Sequence, residues 1–286
     1  MDKRRITQVI SAMVSNGYFK GFFEGHIYKG NLKKTCVPGL NCYSCPGSLG
    51  SCPIGSLQAT IGSLKYNVAY YTIGLITLFG VIFGRLICGF ICPFGLIQDL
   101  LYKIPSKKIN VNKKVNGVLK YLKYIILVVF VIIMPMFLVD DVGIGSPYFC
   151  KLICPAGTLE AGIPLTIMNV SLRGTIGFLF KWKIFILIIT ILLSIVVYRP
   201  FCRYICPLGA IYSLFNPISF YKLNINKDKC TMCKKCMRKC KLNIEVYKNP
   251  NSLECIRCGE CAKACSKGAI TKGFDLPLIK NNHKRE

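Results

Sequence analysis

Three stretches of the chain carry long uncharged apolar runs bounded by charge. Tyr66 to Gly84 has nineteen residues without a charge, between Lys65 and Arg85. Tyr124 to Val139 has sixteen, between Lys123 and Asp140, and Ile184 to Tyr198 has fifteen, between Lys183 and Arg199. A helix of about twenty residues crosses a bilayer core, so the first run predicts a spanning helix outright. The shorter two reach that length with snorkelling Lys and Arg flanks and with Trp182, Tyr124 and Tyr198 at the interface. Ile6 to Phe23 is apolar but interrupted by Lys20 and follows Lys3, Arg4 and Arg5, and it predicts a fourth span, an interfacial helix or an uncleaved signal-like start. Residues 161–180 are broken by Pro164 and Arg173 and read as interfacial or re-entrant. From Asn224 the pattern changes to charged, cysteine-rich sequence with no run able to span. The expected organisation is a membrane domain over 1–223, a small soluble module over 224–275 and a disordered tail over 276–286. The fold class is mainly α: an integral membrane helical domain of about four spans, with a small α+β C-terminal domain.

Composition sharpens this picture. Of 286 residues, 38 are Lys or Arg against 12 Asp or Glu, a formal charge of +26, yet 52% are hydrophobic, and the mean hydropathy is +0.45. That apolar fraction excludes a disordered or nucleic-acid-binding tail protein. The basic excess is instead explained by membrane flanks and by attraction to anionic lipid or acidic partners. The Lys-, Ile- and Asn-rich composition fits an AT-rich bacterial source. Eighteen cysteines in a chain of this size mean disulfides or metal.

The C-terminal module reads CTMCKKCMRKC from Cys230 and CIRCGECAKAC from Cys255, two copies of C-x2-C-x2-C-x3-C. This spacing wraps three thiolates round one corner of a cubane while the fourth reaches a second cluster. Zinc ribbons use paired C-x2-C instead, and disulfides between cysteines so close would be strained. The module resembles bacterial two-cluster ferredoxins. That resemblance implies one [4Fe–4S] cluster on Cys230, Cys233, Cys236 and Cys265, and another on Cys255, Cys258, Cys261 and Cys240. Lys241 and Ser266 stand where a proline commonly follows the fourth cysteine.

The remaining cysteines fall into repeats. CPIGSLQA from Cys52 matches CPAGTLEA from Cys154 at five of eight positions, and RLICGFICPFGLI from Arg85 matches RPFCRYICPLGAI from Arg199 at seven of thirteen. The order is the same each time, so the membrane part reads as internally duplicated. In C-x3-C-P the two thiols lie one helical turn apart, and the proline ends that turn and opens the next helix. Cys88 and Cys92 with Cys202 and Cys206 supply the four thiolates that one cubane needs. The alternative joins Cys45 and Cys52 to Cys88 and Cys92 within one half, with Cys150 and Cys154 joining Cys202 and Cys206. A straight nineteen-residue helix would hold Cys52 and Cys88 about 28 Å apart, which favours the shared cluster. A further cluster is expected on Cys45, Cys52, Cys150 and Cys154. A local tetrad of Cys36, Cys42, Cys45 and Cys52 is the other reading, and either choice leaves two thiols over.

GRLICGFICPFGLIQDLLYKI and RPFCRYICPLGAIYSLFNP, followed by the ferredoxin module, resemble the membrane polyferredoxins of the NapH and NosR type over roughly residues 64–270. The resemblance implies a membrane-bound iron–sulfur electron carrier, an electron-transfer subunit rather than a stand-alone enzyme. It would relay electrons through two clusters in the module and two in the membrane domain, between a redox donor and a reductase-type acceptor. Implied partners are a ferredoxin, flavoprotein or reductase subunit, membrane lipid and, as a candidate, quinone. The rival is a redox-sensing or metal-reducing maturation factor for another metalloenzyme. Residues 103–123 carry seven lysines, whereas 140–160 carry only Lys151. Positive-inside bias therefore predicts a bacterial cytoplasmic membrane protein with the ferredoxin module and Cys88, Cys92, Cys202 and Cys206 cytoplasmic, and Cys45, Cys52, Cys150 and Cys154 on the other face. His26 and His283 lie outside the apolar runs and supply no haem ligands, and no P-loop, dinucleotide fingerprint or serine triad is present.

Overall fold

The computed structural model describes residues 3–63, 70–141, 144–174 and 176–274. It is 57% helical, and the one sheet among the described residues has two strands. The second and third apolar runs lie in helices Lys114–Phe137 and Phe178–Val196, 24 and 19 residues long, with only 22% and 17% of their apolar windows buried. Each is long and apolar enough to cross a bilayer. Val118, Ile125 and Phe137 on one, and Phe185, Ile188 and Leu192 on the other, are exposed. Apolar helix surface on this scale is suited to lipid rather than water. Asn112 caps the first helix by accepting from the Lys114 N–H at 3.3 Å, and residues 127–133 run in π-helical form just before Pro135. The first apolar run forms a shorter helix, Tyr70–Phe83; its start at 66–69 lies outside the described residues.

Ile6–Phe23, one candidate for a fourth span, is not one helix. It divides into Lys3–Ser15 and Lys20–Glu24, and thirteen residues rise only about 20 Å, short of a bilayer core. Residues 161–180 are broken as their Pro and Gly content predicts, into Ile163–Met168 and Val170–Arg173 before the long helix begins.

The chain divides into two compact units, 1–76 with 90–210, and 77–89 with 211–286. In the first, helix Pro93–Leu101 packs against Lys3–Ser15 and Phe178–Val196. Its Asp99 is the anchor. Arg199 donates from Nε to Oδ1 at 2.7 Å and from Nη2 to Oδ2 at 2.6 Å, Gln8 donates at 3.2 Å, and Arg4 pairs with the same carboxylate. Burial would raise the Asp99 pKa, but Arg199 and Arg4 outweigh it and hold the carboxyl below its ordinary range. Arg199 is 1% exposed and left-handed at φ 50°, so it turns the chain out of the long helix into Pro200–Tyr204.

In the second unit, strands Tyr221–Ile225 and Ile270–Phe274 pair antiparallel, Tyr221 opposite Phe274. A composition change at 223 marks the start of the cysteine-rich sequence, but the compact unit starts earlier, at Ile211, and takes in 77–89. Buried polar side chains explain this. Arg85 pairs with Glu254 at 2.8 Å. Asn216 accepts from the Arg85 N–H at 3.0 Å and donates to the Ser252 and Cys255 carbonyls, both at 2.8 Å.

Asp99→Ala leaves two arginines facing a buried site without a counter-charge, a loss of about 3–5 kcal/mol. The expected outcome is a clearly lowered denaturant midpoint for the purified protein in detergent; an unchanged midpoint would show the ion pair to be idle.

Candidate iron–sulfur sites

Among the described residues the cysteines form no disulfide. In the C-terminal module they gather into two groups. One cavity is lined by Cys230, Cys233, Cys236 and Cys265, and a second by Cys240, Cys255, Cys258 and Cys261. These are the groupings that ferredoxins imply, and they form without the usual prolines at Lys241 and Ser266. Each tetrad uses the same backbone device. Met232 and Lys234 in one, and Arg257 and Gly259 in the other, have φ of 50°, 58°, 54° and 80°. Left-handed residues between the cysteines curl the loop so that N–H groups turn toward sulfur; the Arg257 N–H lies 3.4 Å from Cys255 Sγ. The two sites differ in exposure. Burial pushes the Cys255 thiol up to about 12 and the Cys261 thiol to about 11. Cys233 is exposed, and the Lys235 N–H lowers its pKa.

In the first unit the C-P motifs start helices. Cys52, Cys92 and Cys154 sit in extended conformation at the N-caps of helices whose first residue is Pro53, Pro93 or Pro155. Proline suits that position because its missing N–H would lack a partner there anyway. Pro207 likewise opens Pro207–Phe215, where the Gly209 N–H approaches Cys206 Sγ at 3.4 Å. A helix start of this kind presents N–H groups and a positive dipole end to a thiolate.

Cys42, Cys52, Cys150 and Cys154 line one cavity of 660 Å3. Burial pushes the Cys42 and Cys52 thiols up to about 12 and raises those of Cys150 and Cys154. Two glycines line the cavity at ordinary contact distance from its sulfurs. A Cβ on Gly55 would stand 4.0 Å from Cys150 Sγ, and one on Gly157 would stand 3.7 Å from Cys42 Sγ. The four cysteines come from two helix starts, a loop and the short helix Tyr148–Leu152, and thiolates are the ligands that the iron of a [4Fe–4S] cluster takes. Around them, Gln58 Nε2 donates to Cys150 Sγ at 3.3 Å. Glu160 accepts from the Cys42 N–H at 2.6 Å, and its burial pushes the carboxyl up to about 7.

Of the loop cysteines, the structure brings Cys42 rather than Cys45 to this cavity. Cys45 Sγ faces Asn16 Oδ1 at 3.6 Å, and Cys36 Sγ faces Ser56 Oγ at 3.4 Å. Cys92, Cys202 and Cys206 are buried in the same unit, and Gln98, on the helix that Cys92 opens, donates to Cys202 Sγ at 3.0 Å. Cys88 lies on Leu86–Phe90, one turn before Cys92 in the chain. The expectation that Cys52 and Cys92 lie on opposite membrane faces is not what the structure shows. The Leu40 carbonyl is 3.9 Å from Cys92 Sγ, and Cys42, two residues on, lines the cavity of Cys52. Two residues span at most about 7 Å. The loop before Pro53 turns inward, with Leu40, Asn41 and Ser48 at 2%, 0% and 0% exposure, and a Cβ on Gly39 would meet Cys92 Cα at 2.9 Å.

Residues 70–112 and 182–226 match the family described as a 4Fe-4S binding domain. An uncharacterized protein of Methanocaldococcus jannaschii is 33% identical over 224 residues, 76% of this chain and 82% of its own length. The ferredoxin-type protein NapH of Escherichia coli is 26% identical over 282 residues, 94% of this chain and 87% of that protein. The regulatory protein NosR of Pseudomonas aeruginosa is 24% identical over 212 residues, 72% of this chain and 26% of that protein. This chain is a polyferredoxin of the NapH/NosR type. No solved structure matches it. Kinship with ferredoxin-type electron-transport proteins makes the polyferredoxin an iron–sulfur electron carrier, and its two long apolar helices agree with membrane association.

The cysteines of the polyferredoxin were readable from spacing, but Gln58, Gln98 and Glu160 were not singled out. Their signal was positional: each is the sixth residue after a cysteine in C-P-x-G. Filling the space between the sulfurs tests the cavity. Gly157→Val is expected to lower bound iron by about four per chain in anaerobically purified protein, the content of one cubane, while iron equal to wild type would show that nothing occupies it.

Proposed function

We propose that this polyferredoxin relays electrons through four [4Fe–4S] clusters in the membrane, exchanging them with a soluble carrier at the exposed site of its C-terminal module. The observation that carries this reading is the gathering of Cys42, Cys52, Cys150 and Cys154 round one open cavity, beside the two four-cysteine groups of the module. A bound cubane supplies one-electron redox chemistry with a potential set by charge, burial and hydrogen bonds to sulfur. The fourth group is Cys92, Cys202 and Cys206, with Cys88 as the thiolate that C-x3-C-P spacing adds. On this reading the membrane part is a duplication, and each of its clusters takes ligands from both copies of the repeat. The protein's residues hold the sulfurs, exclude water and favour thiolate by aiming helix N–H groups at it. The Leu40–Cys42 segment touches Cys92 at one end and lines the neighbouring cavity at the other, which gives the electron a short covalent path between two sites.

Lys229, Lys234, Lys235 and Lys267 line the cavity that holds the exposed Cys233, and Arg238 and Lys239 are exposed close by in sequence. Such a surface favours an acidic carrier, through steering more than through affinity. Protein purified without oxygen should contain about sixteen irons and show cubane spectra; zinc as the main metal would overturn the proposal. Reversing Lys234, Lys235 and Arg238 to Glu is expected to slow reduction by an acidic carrier at low salt about tenfold, with the salt dependence flattened. An unchanged rate would move the docking site elsewhere.

A further inference from the structure

Glutamine is ordinarily a surface residue, yet all three glutamines of the chain, Gln8, Gln58 and Gln98, are buried. Gln8 donates to Asp99. The other two stand at the same place in related motifs, the sixth residue after Cys52 in CPIGSLQ and after Cys92 in CPFGLIQ. Their geometry is also the same. Gln58 Nε2 donates to Cys150 Sγ at 3.3 Å and to the carbonyl of Ile54, one turn back, at 3.3 Å. Gln98 Nε2 donates to Cys202 Sγ at 3.0 Å and to the carbonyl of Phe94, one turn back, at 3.4 Å. Each acceptor is the first cysteine of a C-x3-C-P pair about a hundred residues away. The amide of Gln58 is held in place from its other end, because Oε1 accepts from the Phe149 N–H at 2.9 Å. At the sixth position of the Cys154 and Cys206 motifs stand Glu160 and Tyr212. Neither carries an amide, so the arrangement belongs to the Cys52 and Cys92 helices only.

We infer that Gln58 and Gln98 are positioning residues that set the reduction potentials of the clusters ligated by Cys150 and Cys202. The inference rests on the cluster reading above. An N–H donated to a ligand sulfur withdraws electron density from the thiolate and stabilises the reduced cluster, so it raises the potential. A glutamine that only filled space would have no such effect, and leucine of similar volume separates the two roles.

The test is an anaerobic redox titration of the full-length protein in detergent, followed by electron paramagnetic resonance, for wild type, Gln58→Leu and Gln98→Leu. Each variant is expected to keep its iron and to lower the midpoint of one cluster, a different one in each. The expected shift is about tenfold in that cluster's reduced-to-oxidised ratio at fixed potential, or about 59 mV for one electron. A second measurement needs no variant. Wild-type protein labelled with 15N at glutamine should show glutamine nitrogen coupled to reduced clusters in pulsed resonance. Wild-type potentials in both variants at full iron content would overturn the inference. So would the absence of any coupled glutamine nitrogen in iron-replete wild type. If instead Cys154→Ser kept all of its iron and every cluster signal, the cluster assignment itself would fall, a result distinct from a cluster present but indifferent to glutamine.

Discussion

Four buried thiols cannot be ionised together unless positive charge lies among them. Around the 660 Å3 cavity, burial holds the thiols of Cys42 and Cys52 at about 12, far above the pH of any cell. Iron held by Cys42, Cys52, Cys150 and Cys154 would reverse this, since thiolate ligation releases protons and would join segments remote in sequence. The helix starts, the inward loop and the open space at Gly55 and Gly157 are consistent with that one requirement. The C-P-x-G motif meets it locally: cysteine at the N-cap, proline where no N–H is needed, and a glycine beside the sulfurs.

A second requirement is to bring segments a hundred residues or more apart to the same point. Buried arginines serve it in each unit. Arg199 stands three residues before Cys202 and pairs with Asp99; Arg85 stands three residues before Cys88 and pairs with Glu254. Each ion pair is almost dry, so its geometry is strongly enforced, and removing one partner leaves a buried charge. At both motifs the arginine near the helix start stands three residues before the first cysteine of a C-x3-C-P pair.

Much of this was legible in the sequence because it depends on spacing. The two ferredoxin tetrads, the C-x3-C-P pairs and the helices 114–137 and 178–196 all follow from local pattern. What stayed hidden depends on the path of a loop. Nothing in residues 25–52 says that Leu40 and Asn41 will be buried, so Cys45 looked a better ligand than Cys42, and a membrane thickness was expected between Cys52 and Cys92. Periodicity reports which face of a helix is apolar, whereas an irregular segment held by Lys33, whose Nζ reaches the Ser48 carbonyl at 2.7 Å, carries no such signal. In the N-terminal segment the apolar content left a span and an interfacial helix both open, and helicity breaks after Ser15.

The choice between Cys42 and Cys45 is therefore the most direct test of the account. Iron content and cluster spectra of anaerobically purified Cys42→Ser and Cys45→Ser decide it. The account predicts that Cys42→Ser loses or alters one cluster, by as many as about four irons, while Cys45→Ser keeps its full complement. Loss at Cys45 with none at Cys42 would contradict it.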